Sequence, residues 1–215
     1  MRILALDAAL GGFSAAVDDG TRVLSTSGGQ DALERGLVRV AGLLDEAGIP
    51  LRSLDRIAVG LGPGSFTGVR IAVAYAKSLA YGAGIPLVGI SSYDALEPPE
   101  APLPLLTVVH GRRGVICARL RTGDAGRTAC GPTGEVLDRL VPSGGTDPLT
   151  VAGNTQDVLA EIAERGWTVR ELPSRAGVAA VAIAQLARTR EPSPSLHALA
   201  PDYGEAPAVT TPKRS

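Results

Sequence analysis

Between Ile57 and Tyr81 the chain passes from a short apolar run, Ile57 to Leu61, through the glycine-rich stretch GPGSFTGVR (Gly62 to Arg70) into an alanine-rich segment from Val69 to Tyr81. A short apolar run that ends on glycines is a buried strand, and the alanine-rich stretch is a helix by propensity, ended by Gly82 and Gly84. Strand, tight loop and helix in that order place the chain in the α/β class. Glycines let the backbone take positive φ and approach a neighbour closely, while Ser65 and Thr67 are placed to cap the helix. The unpaired N–H groups of such a helix start suit an anion. The stretch lacks the Lys-Ser or Lys-Thr of a Walker A loop and fits neither GxGxxG nor the GxSxG nucleophile elbow. Gly62, Gly64, Ser65, Thr67 and Gly68 are thus candidates for an anion cradle or, equally, for a tight structural turn.

Around this unit the pattern begins with strands. Ile3 to Leu6, Phe13 to Val17 and Thr21 to Ser27 read as three antiparallel strands, the last two joined at Asp18-Asp19-Gly20. Asp31 stands as a helix N-cap with Glu34 in the capping-box position, and Leu33, Leu37, Val40 and Leu44 follow at helical spacing before Gly48 and Pro50. Pro86 to Ile90 is a further strand, and Ser91-Ser92 can cap a short helix over Tyr93 to Leu96. The four prolines of EPPEAPLP, Glu97 to Pro104, mark a boundary. Residues 1–100 are expected to form one lobe, 101–205 a second, and 206–215 a flexible tail. In the second lobe Leu105 to Val109 and Val115 to Leu120 bracket a hairpin, Gly123 to Gly134 reads as a loop, and Leu149 to Ala152 as a strand. A helix around Val158 to Ile162, a strand over Trp167 to Leu172 and a helix over Val178 to Ala187 follow, with fraying expected from Pro201.

Charge and composition remove several function classes. The 215 residues carry 21 basic and 22 acidic side chains, a net charge of -1, so no overall field favours a nucleic-acid backbone or an anionic membrane. Any nucleic-acid role must be local or borrowed from a partner. Two Phe, one Trp and four Tyr argue against a base-stacking platform. No uninterrupted apolar stretch approaches the ~18 residues that span a bilayer, and Asp7 interrupts the opening run as a signal peptide would not. The expectation is a soluble, cytoplasmic protein without membrane contact. Cys117 and Cys130 lack CxxC spacing, their pairing does not follow from sequence, and free thiols in a reducing compartment are expected.

Few residues offer chemistry. Asp7, at the end of the first strand, could hold a metal-bound nucleotide through water, or simply shape a turn; Ala8-Ala9-Leu10 after it brings no hydroxyls. His110 and His197 are the only histidines, too far apart for a two-histidine site at helical spacing, and no motif puts a nucleophile beside His110. No metal site is expected. Arg112 and Arg113, with Arg119 and Arg121 in the next strand, make a basic patch that either touches phosphate or is a solvated turn.

The run GPGSFTGVRIAVAYAKSLA (Gly62 to Ala80), with IPLVGISS (Ile85 to Ser92), closely resembles the TsaB (YeaZ) family of glycoprotease-like proteins. RILALDAA, LLDEAG, RIAVG and VAGNTQDVLAEI are compatible with it over about residues 1–205. The resemblance implies an actin-like or Hsp70-like ATPase fold of two related lobes, each a mixed sheet flanked by helices. It implies a non-catalytic part in making threonylcarbamoyladenosine beside the anticodon of tRNA. The partner would be TsaD, which holds the metal and transfers the carbamoyl group, with TsaE joining through the complex, tRNA contacted indirectly and a homodimer formed when alone. No intrinsic cofactor is implied, and nucleotide only at the partner interface. Two departures stand out: Asp7-Ala8-Ala9-Leu10 where the family often has Asp-Thr-Ser-Thr, and His110-Gly111-Arg112-Arg113-Gly114-Val115-Ile116-Cys117 where it often has an Asp-Ala-Arg-Arg-Gly-Glu-Val-Tyr-like hairpin. Asp7 is then a degenerate phosphate-loop residue, and Arg112 and Arg113 are candidate tRNA contacts. The family associates through its first two long helices, here about Asp31 to Ala47 and Gly68 to Ala83, which makes Leu33, Leu37, Val40, Val73, Ala76 and Leu79 candidate interface residues unless they face the chain's own sheet. The alternative from another class is an actin-like-fold ATPase or small-molecule kinase using Asp7 and the glycine loop. A peptidase has neither a nucleophile–base pair nor a metal motif to rest on.

Overall fold

A computed structural model describes residues 1–28, 34–111, 113–145 and 147–204. The first sheet contains β1 (Ile3–Asp7), β2 (Phe13–Asp18), β3 (Val23–Gly28), β4 (Arg56–Gly60) and β5 (Leu87–Ile90), in the order β3-β2-β1-β4-β5. Its β1–β2 and β2–β3 pairs are antiparallel, its β1–β4 and β4–β5 pairs parallel. The second sheet, of β6 (Leu105–His110), β7 (Val115–Arg121), β8 (Gly126–Pro132), β9 (Leu149–Gly153) and β10 (Val169–Glu171), repeats that plan with order β10-β9-β6-β7-β8. Two mixed five-stranded sheets flanked by helices, each with three antiparallel strands followed by two parallel ones, are the actin-like ATPase-type fold.

Strand alternation decides which helices cover which face. On β2, the Phe13 ring meets Tyr75 edge-on, 6.4 Å between centroids, and both rings crowd Gly36. That contact places α1 (Gly36–Ala47) and α2 (Phe66–Ala83) on one face of the first sheet. Its neighbour Ser14 points the other way and its hydroxyl accepts from the Ala180 N–H, 3.3 Å, at the start of α6 (Ala179–Leu186). Gly48 and Gly84, both at left-handed φ, end α1 and α2 as the sequence signals. The proposed Asp31 cap and Leu33 lie outside the described residues.

Four expectations are corrected. Gly123 to Gly134 is not a loop: β8 pairs with β7 over seven residues and runs into α4 (Thr133–Leu140). As a largely exposed edge strand, β8 carries no apolar alternation to reveal it. The same pairing sets Cys117 opposite Cys130, and the two form a disulfide rather than free thiols. The segment 101–205 is not a self-contained lobe, because α6 packs on β1, β2 and β4 of the first sheet and its Ala179, Ala180, Ile183 and Ala184 belong to that core. An alanine-rich helix can approach a sheet closely, so its burial is decided by the partner surface and not by a narrow stripe. Finally, Pro201 to Gly204 does not fray: the Asp202 N–H donates to the Leu61 carbonyl at 2.7 Å, and Tyr203 lies against Phe66 with centroids 4.8 Å apart.

Ion pairs join the two halves where α3 (Ser92–Leu96) meets the second sheet. Glu97, nearly buried, accepts from the Thr107 hydroxyl at 2.6 Å, Arg119 Nε at 2.9 Å and Arg121 Nη1 at 3.0 Å. Asp94 takes Arg119 at 2.7 Å and Arg190 at 3.1 Å. Removing one member of a buried pair strands the others, which costs several kcal/mol. Glu97→Ala is therefore expected to lower unfolding free energy by about 3 kcal/mol, read from urea denaturation with unchanged m. A loss below about 0.5 kcal/mol, the level of ordinary surface changes, would show the network to be dispensable.

Candidate functional site

The parallel strands β1 and β4 end side by side, with Leu6 opposite Val59, and the turn after β1 faces the glycine loop after β4. Carboxyl ends of parallel strands are where open α/β sheets build their sites. Here the two segments close on each other. A Cβ at Gly68 would collide with the Ala8 carbonyl, one at Gly64 (φ 153°) with the Ala9 carbonyl, and one at Gly62 (φ 95°) with the Asp202 carbonyl. The Ser65 N–H donates to the Ala9 carbonyl at 2.9 Å, and the Ser65 hydroxyl caps α2 by accepting from the Gly68 N–H at 3.2 Å. At Gly62, Gly64 and Gly68 the stretch is a tight turn whose close approaches are taken by the chain's own carbonyls. Thr67 is exposed on α2 and makes no cap.

Asp7 is sealed beneath this arrangement. Its Oδ2 accepts from the Leu10 N–H at 3.2 Å, the hydrogen bond of a turn-forming aspartate, whereas Oδ1 is buried against Gly60 with no hydrogen-bond partner among the described residues. Gly60 must lack a Cβ because one would overlap that oxygen, and Ile183 of α6 closes the other side. Burial pushes the carboxyl up from 3.8 to about 6, against the opposing pull of the Leu10, Ala9 and Ala8 amides. An open cavity of about 210 Å³ lies at the Gly11-Gly12 turn between Ser27 and Gly177, and Asp7 does not line it.

The other candidates are dispersed. Arg112 lies outside the described residues, and Arg113 is exposed at the β6–β7 turn. Arg119 and Arg121, far along β7, are not part of a free basic patch, since Glu97 and Asp94 hold them. His110 sits 3.2 Å from Asp157 at the surface. Among the described residues no group of three His, Cys, Asp or Glu side chains could hold a metal ion, and no helix is long and apolar enough to cross a membrane.

The helix pair also rearranges the interface candidates. Val40, Val73 and Ala76 are buried in the first sheet's core and are not presented to a partner, Leu79 is half-buried, and Leu37 is 43% exposed. The outward faces instead show Val38, 68% exposed, with Ala41 and Gly42 on α1, and Ala74, Ser78 and Tyr81, 83% exposed, on α2. Picking apolar positions at helical spacing selects the stripe that faces the sheet. The signal for the second face was present: α2 carries only Arg70 and Lys77 as charges in 18 residues, so it is apolar nearly all round.

The family model for TsaD, tRNA N6-adenosine threonylcarbamoyltransferase, matches residues 32–148, more than half of the chain. The chain belongs to this family, as a TsaB (YeaZ)-type member. It is 40% identical over 94 residues to the tRNA threonylcarbamoyladenosine biosynthesis protein TsaB of Escherichia coli, an alignment covering 43% of this chain and 41% of that protein. The chain thus spans about two fifths of the length of that curated relative. YeaZ from Pseudomonas aeruginosa superposes with a TM-score of 0.71 at 26% identity, over 94% of this chain and 99% of that one. A second structure, an uncharacterized protein with similarity to peptidase YeaZ from the same organism, gives a TM-score of 0.74 at 25% identity, over 95% and 99%.

For Asp7 the sign of the pH effect follows from burial. A carboxyl that binds its proton more tightly when folded stabilises the fold fully below about 3.8 and loses that contribution as pH rises through about 6. Asp7→Asn removes the charge, and thermal melts at pH 7.5 are expected to show a gain of roughly 1–3 kcal/mol, with the fall between pH 4 and 6 flattened. Gly68→Ala, which sets a methyl group on the Ala8 carbonyl, is expected to cost at least about 2 kcal/mol in the same assay.

Proposed function

We propose that this chain is a non-catalytic partner that activates a TsaD-type enzyme in the threonylcarbamoylation of adenosine next to the anticodon of tRNA. One observation carries the reading: the strand ends that would hold a nucleotide in a working ATPase are filled by the chain's own Ala8, Ala9 and Asp202 carbonyls, and the Asp7 carboxylate is sealed beneath them. The family membership and the biosynthetic role in the name of the Escherichia coli relative support the pathway.

The docking surface in this reading is the outward face of α1 and α2. Leu37, Val38 and Tyr81 give it apolar area, and Ala41, Gly42, Ala74 and Ser78 let another helix pair approach closely, as ridges-into-grooves packing requires. The same face accounts for a homodimer when the chain is alone, and TsaE and tRNA join through the assembled complex. Any nucleotide sits at the partner interface. The ATPase or kinase alternative needs Asp7 to reach a phosphate-bound metal, whereas Asp7 is buried against Gly60, beside Ile183 of α6.

Light scattering of the chain mixed with the TsaD-type enzyme of the same organism tests the reading. A stoichiometric complex is expected for the wild type, weakened at least about tenfold by Tyr81→Glu, since a charge buried in an apolar contact costs more than the 1.4 kcal/mol that tenfold represents. Tyr81 is exposed, so the variant keeps its melting temperature. No complex with the wild type would overturn the partnership; a complex indifferent to Tyr81→Glu would move it off this face.

A further inference from the structure

We propose that the Cys117–Cys130 disulfide is a redox-controlled latch that holds the C-terminal segment Pro201–Gly204 in the cleft between the two sheets. The segment is a wedge with a different lobe on each side. Toward the first sheet, the Asp202 N–H donates to Leu61 and the Asp202 carbonyl fills the space over Gly62, while Tyr203 lies on Phe66. Toward the second sheet, Gly204 rests on the disulfide itself: a Cβ there would collide with Cys117 Sγ, with Cys130 Sγ at 2.7 Å and Pro63 at 3.2 Å. Gly204 takes φ 71° and its N–H is held by Asp202 Oδ1 at 2.8 Å, so the backbone is fixed in this close approach. The bridge therefore does more than join β7 to β8, two strands already paired over seven residues. It forms the floor on which the segment packs.

Reduction changes that floor. A thiolate of a dithiol reductant attacks Sγ of Cys130, the partly exposed member, and Cys117 leaves as a thiolate and takes a proton. The second thiol of the reductant resolves the mixed disulfide and frees Cys130 as a thiol. Two electrons and two protons pass to the protein, and the reductant ends as its own disulfide. Two unbonded sulfurs then need separate van der Waals room under a glycine that leaves none, and the wedge is displaced, uncovering Phe66 and the glycine loop. Because docking and the disulfide favour each other by the same factor, the docked segment also shifts the thiol–disulfide equilibrium toward the bridge. The latch stands apart from the partner reading, since it uses neither helix face nor any second protein.

Hydrogen exchange of the full chain, oxidised with oxidised glutathione and compared with the same protein in dithiothreitol, reads the latch directly. The amides of Asp202 and Gly204 are expected to exchange at least about tenfold faster after reduction, with β1, β4 and β9 unchanged. Cys117→Ser with Cys130→Ser should match the reduced protein and ignore the reductant. Gly204→Val, which cannot rest on the bridge, should have half its bridge reduced at a ratio of reduced to oxidised dithiothreitol at least about tenfold lower than the wild type needs. Equal exchange at 202 and 204 in both states overturns the proposal, as does an unchanged reduction midpoint in Gly204→Val. So does exchange rising throughout the second sheet, or thiols that both remain open to alkylation after oxidation.

Discussion

The contact between the Ala8 and Ala9 carbonyls and the glycine loop after β4 is the constraint on which the functional reading depends. Gly64 and Gly68 can be only glycine there, because the β1–β2 turn already occupies the position of a side chain. That turn is held in place by Asp7 through Leu10, and Asp7 in turn requires Gly60. A loop that in other settings would offer N–H groups to a phosphate instead spends its close approaches on its own backbone. The uncompensated Asp7 oxygen is what this packing leaves behind, and burial raises its pKa accordingly.

From that closure the division of labour in the molecule follows. One face of the first sheet carries α1 and α2, whose inner sides build the core and whose outer sides remain apolar and fine-grained. The opposite face is closed by α6, returned from the second half of the chain, and the cleft between the sheets by Pro201–Gly204. At the junction the Glu97–Arg119–Arg121–Asp94 network ties the halves together by charge where α6 ties them by burial.

Much of the fold was legible in the residues. Hairpin-first order, the strand–loop–helix at Ile57 to Tyr81 and the glycine stops of both long helices follow from local chemistry that the tertiary structure does not override. What escaped had non-local causes. β8 is ordered by pairing with β7 and not by its own pattern, so the opposition of Cys117 to Cys130 could not be seen without its register. The burial of α6 and of Pro201–Gly204 is set by surfaces distant in sequence, β1, β2 and β4 for the one and Leu61, Phe66 and the Cys117–Cys130 bridge for the other. At the site, the loop and Asp7 were recognisable as the special positions, whereas their closure depended on the Ala8 and Ala9 carbonyls, atoms every residue possesses. Val40, Val73 and Ala76 failed as interface residues because the apolar stripe that identifies a helix is the one its own sheet consumes.

The central claim is that Asp7 and the glycine loop serve packing while the chain acts through its partner. Its most direct test is threonylcarbamoylation of tRNA in a reconstituted mixture in which Asp7→Asn replaces the wild-type chain. Full modification with the variant is the result this account requires. Loss of modification by a variant that melts at or above the wild-type temperature would make Asp7 a participant in the chemistry and contradict it.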